Sequence, residues 1–581
     1  MSLDEFARRR GFFFQANESY GGVSGFYTYG PVGTALKRRI EDVWRDRFVV
    51  REDNMEIDAP TVTPAAVLRA SGHVDTFDDM LVACETCGES HRADHLVEDH
   101  ADVADAESLA TDVIEDLIAS HEIGCPDCGA PLAGQPVEPF NLMFETSIGP
   151  GGDQPAYLRP ETAQGMFVEF PRLKEYARGD LPFAVAQVGA GYRNEISPRN
   201  AIIRVRELTM AELEQFFDPS GERPSLDPIA DVELQLYTAE AQQAEGTSYR
   251  ETTVGEAAAA GRLGDEWLAY YVGRAAAWFQ RVGVDPDRLR FREHLSDELS
   301  HYAAGCWDAE AEVDGDWIEL AGLASRTDYD LAAHAEHTDE NYTVFKQYDE
   351  PKTVERARVD PDMSVLGPAF GSDAEAVADA LAELAARDRG AFDGDTVTVT
   401  VDDEAYEVAV EDTGFRVEEE TEAGRHIRPH VVEPAFGVGR VVYTVLAHNY
   451  ETDEIDGEQR DVLRLPVEVA PTTVAVFPLM DRDGLADRAE AVATSLREAG
   501  LRVDYDDSGA IGRRYRRQDE VGTPFCVTVD YDTLEDETVT LRERDTTAQV
   551  RVPIGELPAT VEALADGETT FEALTSASDG D

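Results

Sequence analysis

Four arginines, Arg193, Arg199, Arg204 and Arg206, fall in the stretch GYRNEISPRNAIIRVREL, Gly191 to Leu208. A guanidinium offers planar, charge-assisted, bidentate bonds to phosphate oxygens, so such a cluster beside a strand turn suits a bound polyphosphate. Glu195 follows Arg193 by two residues and could orient an amine or a metal beside that phosphate. Taken alone, R-x-E is an ordinary surface ion pair. A second cluster, Arg513, Arg514, Arg516 and Arg517 around Tyr515, could hold backbone phosphates and stack a base. A phosphate site in one part of the chain and a nucleic-acid patch in another suggest nucleotide-driven activation followed by loading onto RNA.

Four of the six cysteines form two C-x-x-C units, Cys84/Cys87 and Cys125/Cys128. Four thiolates suit a tetrahedral Zn²⁺ and leave it no open position, so the expected role is structural. Cys306 and Cys526 sit among apolar or aromatic neighbours and are expected to be buried without a chemical role.

These clusters stand out against an acidic background. The 581 residues carry 51 Lys+Arg against 118 Asp+Glu, a formal charge of -67, and the lysines are only Lys37, Lys174, Lys346 and Lys352. The acid excess runs the whole length, as adaptation to concentrated salt would have it. At 1 M salt the screening length is about 3 Å and self-repulsion becomes short-ranged. Acidity therefore does not exclude a nucleic-acid partner where local basic patches survive. The start MSLDEFARRRGFFFQ lacks a signal-peptide core and no run of 18 apolar residues occurs, so a cytoplasmic protein with no membrane partner is expected.

The positioning elements follow from periodicity. Leu36, Ile40, Val43, Trp44 and Phe48 mark one helical face after GPVG, Gly30 to Gly33, and NMEIDAP reads as a short strand ending at Pro60. FAVAQVGAGYRNE and AIIRVREL read as two strands around an SPRN turn, with TMAELEQFF turning helical after them. The segment between the C-x-x-C units reads as an acidic helix. A helix near 373–387 and alternation in DTVTVTVDDEAYEVAVED belong to an insertion. VVEPAFGVGRVVYTVLAHNY is a strand leading through glycines into a helix. From about residue 470 the order is β-α-β-α-β, a small mixed α/β domain, and the tail SASDGD is expected to fray. No P-loop or dinucleotide fingerprint is present, so an antiparallel sheet rather than either nucleotide fold is expected.

Longer motifs agree in order along nearly the whole chain. LRPETAQG (Leu158 to Gly165), FNLMF (Phe140 to Phe144), GYRNEISPR, RVRELTMAE, LSDELSHYA, WIELAGLASRTDYDL, EPAFGVGR (Glu433 to Arg440) and GTPFCVTVD together resemble glycyl-tRNA synthetases of the archaeal/eukaryotic homodimeric type. The resemblance implies an α+β fold: a class II synthetase antiparallel-sheet catalytic core with a C-terminal mixed α/β anticodon-binding domain. The implied division is a catalytic domain at 1–463, with a four-cysteine metal-binding insertion at 82–130 and a second insertion at about 346–424, then the anticodon-binding domain at 470–575. The implied reaction is ATP-dependent formation of glycyl-adenylate and transfer of glycine to the 3′ end of tRNA(Gly), with diadenosine tetraphosphate as a side product. Mg²⁺ would serve catalysis and Zn²⁺ structure.

By the same resemblance, Arg193 would contact the α-phosphate of ATP, Glu195 the adenine amine, and Arg206 would help place the phosphates. Arg440 would stack on adenine, and Glu319 would support magnesium and ATP. Glu161 would pair with the glycine ammonium and Glu433 would help close the pocket. The helix from Thr34 and the strand before Pro60 would build the dimer. Arg513, Arg514, Arg516 and Arg517 are the candidates for contacting tRNA(Gly). Two positions depart from the family: Ala435 stands where serine is usual, and Leu208 where a phenylalanine sandwiches adenine. An aliphatic face packs on a base without ring stacking, worth about 1–3 kcal/mol, so weaker ATP or glycine affinity is expected. A non-catalytic relative would have lost Arg193, Arg440 or Glu161; all three are present.

Overall fold

The computed structural model describes residues 2–101, 103, 106, 109–198, 201–244, 249–296, 298–299, 303–401, 404–455 and 457–578. Arg199 and Asn200 of the basic loop, and the last three residues of the tail, lie outside them. The chain divides into two compact units: residues 1–177, 181–342 and 429–581 form one, and 178–180 with 343–428 the other.

The first unit is built on a nine-stranded mixed sheet. Its strands are β1 (Met55–Glu56), β2 (Phe183–Tyr192), β3 (Glu207–Phe217), β4 (Glu233–Tyr237), β5 (Arg250–Thr253), β6 (Leu289–Glu293), β7 (Gly305–Val313), β8 (Asp316–Thr327) and β9 (His430–Gly437). Their spatial order is β5-β4-β6-β7-β8-β9-β3-β2-β1. All neighbours are antiparallel except β4–β6 and β1–β2.

One face of this sheet is apolar and carries three helices: α1 (Pro31–Arg45), α2 (Glu266–Val282) and α3 (Val438–Asn449). α2 starts where the Asp265 side chain accepts from the Leu268 amide and stops at Gly283, whose φ of 99° an L side chain resists. Trp44, Trp278 and Phe279 close on Phe436 of β9, the two rings of α2 at 5.2 and 5.6 Å between centroids. The expected helical face is buried throughout: Leu36, Ile40, Val43 and Trp44 in α1, and Phe48 in the π-helical turn Asp46–Val50 that follows it.

TMAELEQFF is strand, not helix. It forms most of β3, a central strand between β2 and β9. Ala211, Leu213 and Phe217 enter the helix-covered core, while Glu212 and Glu214 point from the opposite face and are buried there too. Ala, Leu and Glu favour helices, but ladder bonds on both sides and burial of both faces override that preference. AIIRVR is turn and loop, so the second strand begins only at Glu207.

The segment with the cysteines adds a three-stranded sheet, Asp78–Ala83, Ser90–Arg92 and Val137–Asn141. Its core takes Leu96 and Val97 from helix Ala93–His100, and Ile114 and Ile118 from helix Thr111–Ser120. Of the acidic stretch 99–120 expected to be helical, Thr111–Ser120 is helix and residues 99–100 end the helix before it, while residues 102, 104, 105, 107 and 108 lie outside the described residues.

The C-terminal part of this unit has β10 (Val474–Pro478), β11 (Val503–Tyr505), β12 (Phe525–Val529), β13 (Thr538–Glu543) and β14 (Gln549–Pro553) in the order β11-β10-β12-β13-β14. β10, β11 and β12 run parallel, joined by α4 (Leu485–Glu498) and α5 (Ile511–Val521). The second unit is a long antiparallel ribbon, Val344–Arg358 with Arg416–Ile427, bearing helix Ala374–Arg387 and a hairpin of Thr396–Val401 and Glu404–Ala409. Val377, Leu381, Val397 and Val399 form its core.

Candidate active site

The face of the nine-stranded sheet without the three helices collects the polar residues. Strand register sets them in rows. Glu212 of β3 lies opposite Ala435 of β9, which lies opposite Gly322 of β8, which lies opposite Asp308 of β7. In the next row Glu433 pairs with Ala324 and Ala324 with Cys306. Leu320 is one residue too many on β8, opposite the step from Ala309 to Glu310. This bulge reverses the alternation and turns Glu319 toward the polar face. A cavity of about 260 Å³ opens here, lined by Glu161, Arg193, Glu195, Glu212, Glu319, Glu433 and Arg440 among others.

Arg193, Arg204 and Arg440 are among the cations that line the cavity. Arg193 follows β2; its Nε donates to the Pro160 carbonyl at 3.4 Å and its guanidinium lies 5.6 Å from the Phe77 ring centroid. Arg204 bonds Glu195 at 2.7 Å. Arg440, in the first turn of α3, donates to Glu319 at 2.8 Å and to the Ile203 carbonyl at 3.2 Å. The Arg440 guanidinium holds the Glu319 carboxyl below the usual carboxylate range, against the effect of burial. Among the described residues Arg193 alone of these arginines has no carboxylate within 4.0 Å, so its charge is available to an incoming anion.

Arg206 departs from expectation. Its donors go to the Glu195 carbonyl, at 2.8 and 3.1 Å, and to the Ser24 carbonyl at 2.8 Å. It does not line the cavity, whereas Arg204 does. Arg206 therefore ties the loop that carries Glu195 to the N-terminal segment. Leu208 and Ala435 both line the cavity, as their expected roles require.

Acids line the same cavity. Glu161 precedes helix Ala163–Val168 and stands 3.4 Å from His73 Nε2, whose Nδ1 is 2.8 Å from the Ser71 hydroxyl. Burial alone would raise the Glu161 carboxyl, but His73, Arg326 and Arg193 outweigh it and hold it well below its ordinary range. Arg326 of β8, 2 % exposed, grips Asp330 at 2.8 and 3.0 Å and Glu433 at 2.7 Å. Glu212 accepts from the Thr162 amide at 2.6 Å and from its hydroxyl. Burial first, then Glu161 and Glu433, push its carboxyl up to about 8. Burial and the Glu433 charge also raise Glu214 strongly; its two oxygens are buried without a hydrogen-bond partner. Glu212 and Arg326 were missed in the sequence. Glu212 alternates with a core residue inside what looked helical, and Arg326 gains meaning only once three strands align.

The four cysteines converge. Cys84 and Cys128 sulfurs are 3.7 Å apart, Cys87 and Cys125 sulfurs 3.6 Å, and all four lie within 4.8 Å of one another. Ligands about 2.3 Å from a tetrahedral Zn²⁺ would be separated by about 3.8 Å. Each pair sits in the same knuckle: the Gly88 amide donates to the Cys84 carbonyl and the Gly129 amide to that of Cys125, both at 2.8 Å. Both glycines have φ above 70°. The set is that of a structural zinc site, with His91 Nε2 3.3 Å from the Cys125 sulfur. Cys526 is buried as expected. Cys306 is not a buried bystander: it lines the cavity beside His294 and Asp308.

In α5, Arg514 is buried, donating to the carbonyls of Pro478, Asp507 and Gly509. Tyr515 turns inward onto Phe477 and bonds Thr528 at 2.6 Å, so it does not offer a ring to a base. Arg517 pairs with Asp506 and Arg516 with Glu458. Arg513 is exposed. No helix among the described residues is long and apolar enough to cross a membrane.

A family model described as "Anticodon binding domain" matches residues 473–564. The chain is 48% identical over 571 residues to the glycine--tRNA ligase of Methanothrix thermoacetophila, covering 98% of this chain and 97% of that one. It is 44% identical to the corresponding ligases of Methanothermobacter thermautotrophicus and Archaeoglobus fulgidus, each covering 96% of this chain and 98% and 96% of theirs. The structure of prolyl-tRNA synthetase from Cryptosporidium parvum with L-proline and AMP aligns over 97% of this chain and 75% of its own. Its TM-score is 0.50 at 12% identity, a likeness of fold alone.

Proposed function

The chain belongs to the glycine--tRNA ligase family, and from that premise we propose how its cavity divides the work of activating glycine with ATP and passing it to tRNA(Gly). The observation that carries it is one cavity lined both by Arg193, which has no carboxylate partner among the described residues, and by Glu161, Glu212 and Glu433. Glycine offers only an ammonium, a carboxylate and two α-hydrogens. The acids would take the ammonium, leaving the carboxylate to attack the α-phosphorus of ATP in line, breaking the α–β phosphoanhydride bond and releasing pyrophosphate to leave glycyl-adenylate.

Arg193 binds the α-phosphate and neutralises the charge that grows on it, while Arg204, paired with Glu195, holds that acid at the cavity wall and Arg206 braces the loop that carries it. No protein nucleophile is required; positioning and electrostatics lower the barrier. Glu195, Leu208 and Arg440 frame the adenine. Glu319 offers hard carboxylate oxygens suited to Mg²⁺, which supplies further charge neutralisation at the phosphates. The terminal hydroxyl of the tRNA then attacks the activated carbonyl, forming the glycyl ester and breaking the acyl–phosphate bond, so that AMP leaves and the hydroxyl proton is lost to solvent. Small residues at Gly322, Ala324 and Ala435 border the acids, and one methyl of discrimination by affinity alone is worth only about 1–3 kcal/mol, so a clash must exclude alanine.

The catalytic part ends near residue 463 and the anticodon part begins near 470, with Arg513 the surface arginine offered to tRNA(Gly) there. A homodimer forms along the β1 edge of the sheet and α1. The protein works in a saline cytoplasm, and diadenosine tetraphosphate arises when a second ATP intercepts the adenylate.

Glu161→Gln tests the glycine assignment. A lost charge-assisted bond of about 2–3 kcal/mol raises the KM for glycine roughly 30- to 150-fold in ATP–pyrophosphate exchange, with the KM for ATP unmoved. Parallel loss of both affinities would make Glu161 structural. A pH effect follows from Glu212. Its folded pKa is raised to about 8, so in the empty pocket it keeps its proton below that pH. An ammonium must displace that proton, so apparent glycine affinity rises with pH toward 8, by at most about tenfold per unit. A KM for glycine flat from pH 6.5 to 8 would contradict this.

A further inference from the structure

His294, Cys306 and Asp308 stand together where β6 meets β7, apart from the glycine acids and from the four-cysteine site. The His294 amide donates to the Cys306 carbonyl at 3.0 Å, extending the ladder by one step and setting the two side chains abreast. Asp308 follows two residues on, on the same face, and its Oδ2 is 2.8 Å from His294 Nε2. The imidazole nitrogen, the sulfur and a carboxylate oxygen all lie within 4.8 Å of one another, and all three residues line the cavity. Arg292 competes weakly for Asp308: its Nη1 is 4.0 Å away, while its other nitrogen pairs with Glu298.

We propose that these three residues form a second divalent-metal site, of the zinc and cobalt class, on the wall of the nucleotide cavity. The donor set selects the metal. Thiolate and imidazole favour borderline-soft ions, whereas Mg²⁺ and Ca²⁺ seek oxygen alone. Three protein ligands leave a tetrahedral ion one open position, the pattern of a site that binds an exogenous group and unlike the closed four-cysteine set. That position borders the space shared with Arg193, Glu319 and Arg440, so a phosphate or carboxylate oxygen is its natural occupant. The ion takes the place of the direct His294–Asp308 bond. The identity of the occupant rests on the nucleotide reading above; the metal site does not.

The test is a zinc count on the full chain, dialysed without substrates against buffered micromolar free Zn²⁺ and measured by elemental analysis. The expected result is two zinc per chain for the wild type and one for Cys306→Ala and for Asp308→Asn. Asp308→Asn keeps side-chain volume and decides the matter if Cys306→Ala does not fold. One zinc per wild-type chain, or two in both variants, overturns the proposal. Such a failure leaves the ligase reading standing, and a failure of glycine-dependent exchange leaves the count standing.

Discussion

Arg193→Gln is expected to lower glycine-dependent ATP–pyrophosphate exchange by about 10³-fold, roughly 4 kcal/mol of lost transition-state stabilisation. The size follows from what surrounds the residue. Arg204, Arg326 and Arg440 are each committed to carboxylates, and Arg206 to backbone carbonyls. Arg193 is braced by a carbonyl and an aromatic ring, contacts that orient the guanidinium without spending its charge. Glutamine keeps a donor but cannot neutralise a phosphate. Because Arg193 is half-buried and holds no ion pair among the described residues, the variant should melt close to the wild type. Exchange within tenfold of wild type, with thermal stability unchanged, would remove Arg193 from the phosphate.

Arg326→Met should damage stability and glycine use together. Arg326 is the buried cation between Asp330 and Glu433, with its guanidinium 5.3 Å from the Phe167 ring centroid. Glu212 and Glu214 lie in the same acidic neighbourhood. Methionine fills similar space but strands Asp330 and Glu433 in a low-dielectric interior, which costs about 3–5 kcal/mol when one partner of a buried ion pair is removed. The catalytic part should unfold at lower temperature and exchange should fall below detection. Adding Asp330→Asn removes one stranded charge, so the double variant should recover part of the stability and none of the exchange. A single variant as stable as the wild type would show that the network is not holding this pocket.

What could be read from the sequence was local. The C-x-x-C units declare their metal because spacing within each pair sets the sulfur geometry, and the α1 face declares itself because its buried residues recur at helical spacing. Arg193, Glu161, Glu433 and Arg440 could be named from motifs, and all of them reach one cavity. What escaped depended on neighbours distant in sequence. Thr209 to Phe217 looked helical because Ala, Leu and Glu carry helix propensity, and only ladder bonds to β2 and β9 make it a strand. Glu212 and Arg326 become site residues through register across β3, β9 and β8. Arg514 and Tyr515 read as a surface patch because composition does not say which face of α5 is covered; the fold turns both inward. The bulge at Leu320, which aims Glu319, leaves no mark in residue type.

On the proposed reading Glu161, Glu212 and Glu433 select glycine as the amino acid activated in this cavity, and the other proposed roles depend on it. The most direct test is ATP–pyrophosphate exchange by the full chain in molar KCl with Mg²⁺, comparing glycine, alanine and serine. High salt suits a chain of net charge -67, whose self-repulsion is then screened to a few ångströms. Exchange is expected with glycine and none above background with the other two. Comparable exchange with alanine or serine would contradict this, because the small residues and the acid nest would then not be setting the specificity.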